Sequence, residues 1–178
     1  MELKRLFRLM ALSILFLNLG ILCTSSKTLA SETDGTERCS SITLENGAKI
    51  LGAAIDDLQR SSYDLMVSPD DLRKKIYKIP PYNCTIRSKS NFLKLITYVT
   101  YVYSDPGQAK TEFNKMRNDF ESVSMIEAVP GIGDSAFWAG DNRFQRLVAL
   151  QGAAMIDILS PKNLDLQKQI ISLVLDKF

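Results

Sequence analysis

The sequence predicts an α+β fold: one antiparallel β-sheet of about five to six strands with three main helices packed on it. Three observations carry that prediction. The elements read in the order helix, two strands, helix, three or four strands, helix. Neighbouring strands are separated by turns of two or three residues, which force antiparallel pairing. Each helix carries one apolar stripe, and three stripes need a common sheet to cover.

The first helix is predicted from Thr43, an N-cap with Glu45 in the first turn, and its stripe is Leu44, Ala48, Leu51, Ile55 and Leu58. Gly47 and Gly52 lower helix propensity or allow close approach to a sheet. Residues 59–82 carry the weakest pattern. Ser68-Pro69-Asp70-Asp71 has the chemistry of a short helix start, with Leu72 and Ile76 facing inward. Pro80-Pro81 predicts the end of any regular element.

Cys84–Arg87 alternates as a strand, Lys89-Ser90-Asn91 reads as a turn, and Phe92–Tyr103 reads as a second strand. Leu95, Thr97, Val99, Tyr101 and Tyr103 fall on one face of it; Phe92, Ile96, Tyr98 and Val102 fall on the other. Apolar residues on both faces predict a central strand covered on both sides. The second helix has the plainest pattern: Asp105 caps, Pro106 takes the first position, and Ala109, Phe113, Met116 and Phe120 share a stripe. Its other face, Lys110, Glu112, Lys115 and Asp119, is solvated.

Val123–Val129 reads as a short strand, followed by the turn Pro130–Asp134. Ala136-Phe137-Trp138 starts a strand, Gly140-Asp141-Asn142 turns it, and 143–150 returns. Gln151-Gly152 makes a tight turn into the last strand, 153–159. Ser160–Asn163 then leads to a terminal helix whose inner stripe is predicted as Leu166, Ile170, Leu173 and Val174.

The first thirty residues have the layout of an export signal. Lys4, Arg5 and Arg8 form a basic start, and Leu9–Cys23 is almost continuously apolar. Thr28 and Ala30 are small residues that suit cleavage after Ala30. The apolar run is about fifteen residues, short of the ~20 that span a bilayer. The alternatives are an uncleaved anchor and a lipidated Cys23, although Leu22 stands where lipidation sites carry a small residue. The expected organisation is a signal peptide at 1–30, a flexible leader at 31–38 and one domain at 39–178. That places the mature chain in the periplasm or outside a bacterial cell, with membrane contact only if the signal stays or Cys23 is acylated.

Removing 1–30 takes away four basic residues and one acidic residue, which turns a net charge of +2 into −1. A near-neutral domain is a poor partner for nucleic acid. The run Arg73-Lys74-Lys75, with Lys78, reads as a solvated helix face. The chain has no histidine and only three cysteines, which rules out Ser–His and Cys–His nucleophiles and a four-thiolate zinc site. In an oxidising compartment Cys39 and Cys84 pair with each other; the alternative is two separate buried thiols.

The spacing of these parts has a counterpart. A cysteine precedes the first helix, a second opens a strand, and the run Val129-Pro130-Gly131-Ile132-Gly133-Asp134-Ser135-Ala136-Phe137-Trp138 precedes a glycine-centred hairpin. This resembles a group of small exported bacterial domains and lipoproteins that share a Gly-x-Gly-Asp-x-Ala turn followed by a strand and a terminal helix. The resemblance spans most of residues 39–178. It implies a PsbP-type α/β/α sandwich and transfers no catalytic residue.

The candidate binding surface is Gly131, Gly133, Asp134, Phe137 and Trp138. The glycines offer backbone N–H groups or simply the positive φ of a tight turn, with Asp134 bonded to local backbone. Phe137 and Trp138, with Tyr98, Tyr101 and Tyr103, supply an aromatic groove or core packing. The adjacent pairs Asp56-Asp57 and Asp70-Asp71 diverge by about 100° on a helix and read as solvated ends. No cofactor, metal or catalytic constellation is predicted. The expected role is a non-enzymatic exported domain that binds a protein or a small envelope ligand. The alternatives are an inhibitor or immunity-type partner, and a histidine-free hydrolase built on Ser/Lys or Asp.

Overall fold

A computed structural model describes residues 38–140 and 145–178. The expected signal at 1–30, Cys23, and the hairpin turn at Asp141-Asn142 lie outside those residues. The elements are α1 (Leu44–Leu51), a 3-10 turn (Ile55–Asp57), β1 (Leu58–Asp64), α2 (Pro69–Arg73), β2 (Tyr77–Ser88) and β3 (Leu95–Tyr103). They continue with α3 (Pro106–Glu121), β4 (Met125–Ala128), β5 (Ser135–Gly140), β6 (Gln145–Gln151), β7 (Ala154–Ser160) and α4 (Leu164–Leu175). All seven strands form one antiparallel sheet in the order β1-β2-β3-β7-β6-β5-β4. The mixed class therefore holds, with more strands than the five to six predicted and a fourth helix, the five-residue α2.

Local chemistry sets the helix starts. Thr43 Oγ1 accepts the Asn46 N–H at 3.1 Å, Ser68 Oγ the Asp71 N–H at 3.1 Å, and Asp105 Oδ1 the Gln108 N–H at 2.8 Å. The first helix ends earlier than its apolar stripe suggests. Gly52 takes the left-handed conformation (φ 57°) and caps α1, so Ile55 falls in the 3-10 turn and Leu58 opens β1. Gly47 has the close-approach role: a Cβ there would lie 3.2 Å from Ile86 Cγ2 on the sheet.

Two further expectations are corrected, and β1 is a strand that the sequence pattern did not predict. β1 carries a single buried apolar residue, Leu58, because it is an edge strand with much of its length exposed. β2 runs straight through Pro80-Pro81, because its pairing with β1 stops at Tyr82 and its register with β3 shifts twice between Tyr77 and Tyr82. A one-sided, bulged stretch has room for residues that lack an N–H donor. Phe92 lies before β3 begins and is 80% exposed.

Helices cover both faces. On one side α1 and α4 pack over Ile86, Ile96, Tyr98, Ile156 and Ile158. On the other, Ala109 and Phe113 of α3 meet Tyr103, Phe137, Val148 and Met155. β3 is thus central and apolar on both faces, as its sequence predicts. Among the described residues no helix is long and apolar enough to cross a membrane.

A disulfide joins Cys39 to Cys84, both fully buried, and fixes the segment before α1 to β2. Inside the α3 layer sits a fully buried carboxylate, Asp157 of β7. Arg146 of β6 answers it with two hydrogen bonds, Nε to Oδ1 at 3.0 Å and Nη2 to Oδ2, while its guanidinium lies 5.0 Å from the centre of the Phe120 ring.

Candidate functional site

The glycine turn between β4 and β5 is a clamp. Gly131 and Gly133 both have positive φ, 78° and 52°. A Cβ on Gly133 would stand 2.4 Å from the Leu150 carbonyl oxygen, so the position accepts only glycine. Asp134 donates its N–H to that same carbonyl at 2.8 Å, and its Oδ2 accepts the Gly152 N–H at 2.7 Å. Turn and carboxylate are both spent on holding the β6–β7 hairpin.

The next two aromatic residues go to opposite faces, as alternation along a strand requires. Phe137 is 1% exposed and meets Phe113 edge-to-face, ring centres 5.2 Å apart. Trp138, the sole tryptophan, turns the other way and forms a wall of a pocket of about 440 Å³. The pocket also takes Glu127 of β4, Gln145 of β6, and Lys162, Asn163 and Leu164 from the start of α4. The indole Nε1 is buried and has no hydrogen-bond partner among the described residues.

The start of α4 is fixed beside it by Asn163, whose Oδ1 accepts the Leu166 N–H at 3.0 Å. Gln167, fully buried on that helix, donates Nε2 to the Gln145 carbonyl at 3.1 Å and the Pro161 carbonyl at 2.9 Å. Its Oε1 has no partner among the described residues. An unpaired buried polar atom costs about 1–3 kcal/mol. Among the described residues, Trp138 Nε1 and Gln167 Oε1 are two such atoms; Trp138 lines the pocket, while Gln167 lies beneath the helix start that forms one side of it.

A second hollow, about 220 Å³, lies on the α3 side between Tyr77, Tyr101, Tyr103, Glu112, Lys115 and Met116. The Tyr77 and Tyr103 ring centres are 5.1 Å apart, and those of Tyr101 and Tyr103 6.3 Å and nearly parallel. Tyr98 is separated from them, since it faces the α1–α4 core. Burial raises the Tyr77 and Tyr103 phenols, with the Glu112 charge adding to both. Burial, helped by the Asp157 charge, pushes Tyr101 up to about 12.

These phenols set a pH dependence. A folded pKa above the unfolded value means that the native chain keeps protons that the unfolded chain releases. Stability is therefore whole below about pH 10 and is lost as pH rises toward 12. The expected result is that the tyrosinate absorbance of the buried phenols appears together with loss of tertiary circular dichroism. A gradual rise centred near pH 10 in the still-folded protein would contradict it.

No protein-family model matches the chain, and no curated protein matches it. Among solved structures, the extracellular domain of PknH from Mycobacterium tuberculosis is similar, with a TM-score of 0.51 and 11% sequence identity. The match covers 79% of this chain and 94% of that one. At this identity the likeness is one of fold.

Sequence reasoning reached Trp138 but not the residues around it. Gln167 was legible in principle. The buried face of α4 is Gln167, Ile170, Ile171 and Val174, a regular helical stripe whose first member is polar. The predicted stripe used Leu166 and Leu173 instead, and both are only half-buried. Glu127, Gln145 and Lys162 come from three separate segments and share no local pattern.

Proposed function

We propose that the protein is an exported, non-enzymatic binding domain whose recognition site is the Trp138 pocket. Export is supported by the Cys39–Cys84 bridge, a bond that persists in oxidising compartments, and by the basic-then-apolar start of the sequence. The observation that carries the binding role is an indole N–H, buried and without a partner among the described residues, on the tryptophan that walls a polar pocket of about 440 Å³. Glu127 and Asp165 add carboxylate acceptors, and Asn163 and Lys162 complete the polar lining. Such a lining suits a ligand rich in amides and hydroxyls, as small fragments of a bacterial cell wall are.

The sole tryptophan makes the test direct. Its indole N–H gives one resonance in a nitrogen-15 correlation spectrum. Titration of the full chain with an N-acetylglucosaminyl-N-acetylmuramyl peptide should shift that resonance saturably. Trp138→Phe keeps an aromatic ring and removes the donor; it should weaken calorimetric binding by about tenfold or more. An unmoved indole would reject this ligand class. A stoichiometric protein that co-purifies and moves the same resonance would favour the inhibitor or immunity-type reading.

A further inference from the structure

The turn between β2 and β3 breaks a rule of turn composition. The Lys94 N–H donates to the Asn91 carbonyl at 3.0 Å, which closes a β-turn with Phe92 and Leu93 as its two central residues. Turn centres favour Gly, Pro, Asn, Asp and Ser. Here they hold a phenyl ring and a leucine that are 80% and 75% exposed. Neither side chain gains burial from the fold, and Ile55 on the adjacent 3-10 turn is also 48% exposed.

The same turn is unusually well braced. Asp57 accepts from Ser88 Oγ at 2.5 Å, from the Ser90 N–H at 3.0 Å and from Ser90 Oγ at 2.9 Å. Ser88 Oγ accepts the Asn91 N–H at 2.8 Å, and Asn91 Oδ1 accepts the Leu93 N–H at 3.0 Å. The two flanking lysines are tied back, Lys89 Nζ to the Asp56 carbonyl at 2.7 Å and Lys94 Nζ to the Gly52 carbonyl at 2.6 Å. Many polar groups are thus spent on holding two apolar side chains out in water. A local rule broken without an internal gain marks a functional position, and rigidity lowers the cost of engaging a partner.

We propose that this turn is a membrane-contact wedge: Phe92 and Leu93 enter the interfacial layer of an anionic bilayer, with Arg87 exposed at its base, while Lys89 and Lys94 exchange their carbonyl partners for lipid phosphates. Two observations favour a bilayer over a protein. A two-residue apex buries far less than the roughly 800 Å² per partner of a standard protein interface, whereas a lipid surface accepts a narrow wedge. The rim keeps a small excess of cations: Arg87, Lys89 and Lys94 stand against two carboxylates, Asp56 and Asp57, and the neutral donors of Ser88 and Ser90 leave the Asp57 charge in place. The proposal is independent of the Trp138 pocket.

The apolar start of the full chain can bind vesicles by itself, so the readout must be local to the turn. Phe92→Trp places an indole at the apex, and the unsubstituted chain, with Trp138 alone, supplies the background. On vesicles of phosphatidylglycerol and phosphatidylcholine, the added emission should shift to the blue and be quenched by brominated acyl chains. Adding Leu93→Ser should abolish the shift. Lys89→Glu with Lys94→Glu should raise the lipid needed for half the shift by about tenfold or more. Emission that stays that of a solvated indole on vesicles already carrying the chain overturns the wedge. So does a shift that needs a co-purified protein and no lipid.

Discussion

Replacing Arg146 with alanine is expected to destabilise the domain by about 3–5 kcal/mol, because it strands a fully buried charge. Asp157 has no exposure, and the guanidinium of Arg146 supplies both of its hydrogen bonds among the described residues. Burial already raises the Asp157 carboxyl despite the opposing charge beside it. Loss of Arg146 also removes the cation from the Phe120 ring. The check is urea denaturation at neutral pH.

Two companion measurements separate the charge effect from lost packing. The deficit of the variant should shrink as pH falls toward 4. A raised folded pKa means that the native state takes up the proton first, and a neutral Asp157 needs no partner. An Arg146→Met, Asp157→Leu pair should recover most of the stability, since an apolar pair of similar volume replaces a buried ion pair at little cost. A loss below about 1 kcal/mol for Arg146→Ala would mean that the carboxylate is not charged in the native state.

Opening the Cys39–Cys84 bridge is expected to cost about 4 kcal/mol, from the chain entropy of a loop whose ends are 45 residues apart. The Cys39→Ala, Cys84→Ala chain tests this without leaving buried thiols. Its thermal midpoint should fall well below that of the oxidised protein, and reductant should have no further effect on it. The damage should be regional. Amides of α1 and β1 should exchange faster, because the bridge ties the chain before α1 to β2, while β5–β7 should change least. Equal midpoints for the two proteins would show that packing of Ile42 and α1 alone holds this end.

The parts of the molecule legible in its sequence are those decided within a few residues. The caps at Thr43, Ser68 and Asp105 were readable because a side-chain oxygen reaches the N–H of a residue three further on. The α3 stripe and the two-sided apolar character of β3 were readable from periodicity. Trp138 and its neighbour Phe137 were visible as a pair, but burying one in the α3 layer and placing the other in a pocket depends on the face that β5 presents.

Composition and local pattern by themselves determined the antiparallel mixed class and the helix starts; for the two cysteines they favoured a bridge over separate thiols, and the structure holds the bridge. Tertiary structure decided the rest: seven strands, β3 beside β7, a strand that continues through two prolines, and a pocket drawn from β4, β5, β6 and the start of α4. It also decided that Asp157 and Arg146 lie together. The physical reason is range. Caps and stripes draw their free energy from neighbours one or two turns away, whereas strand order and register come from burying both faces of a whole sheet. That sum is spread over segments as far apart as β3 and β7, and no single window of the sequence contains it.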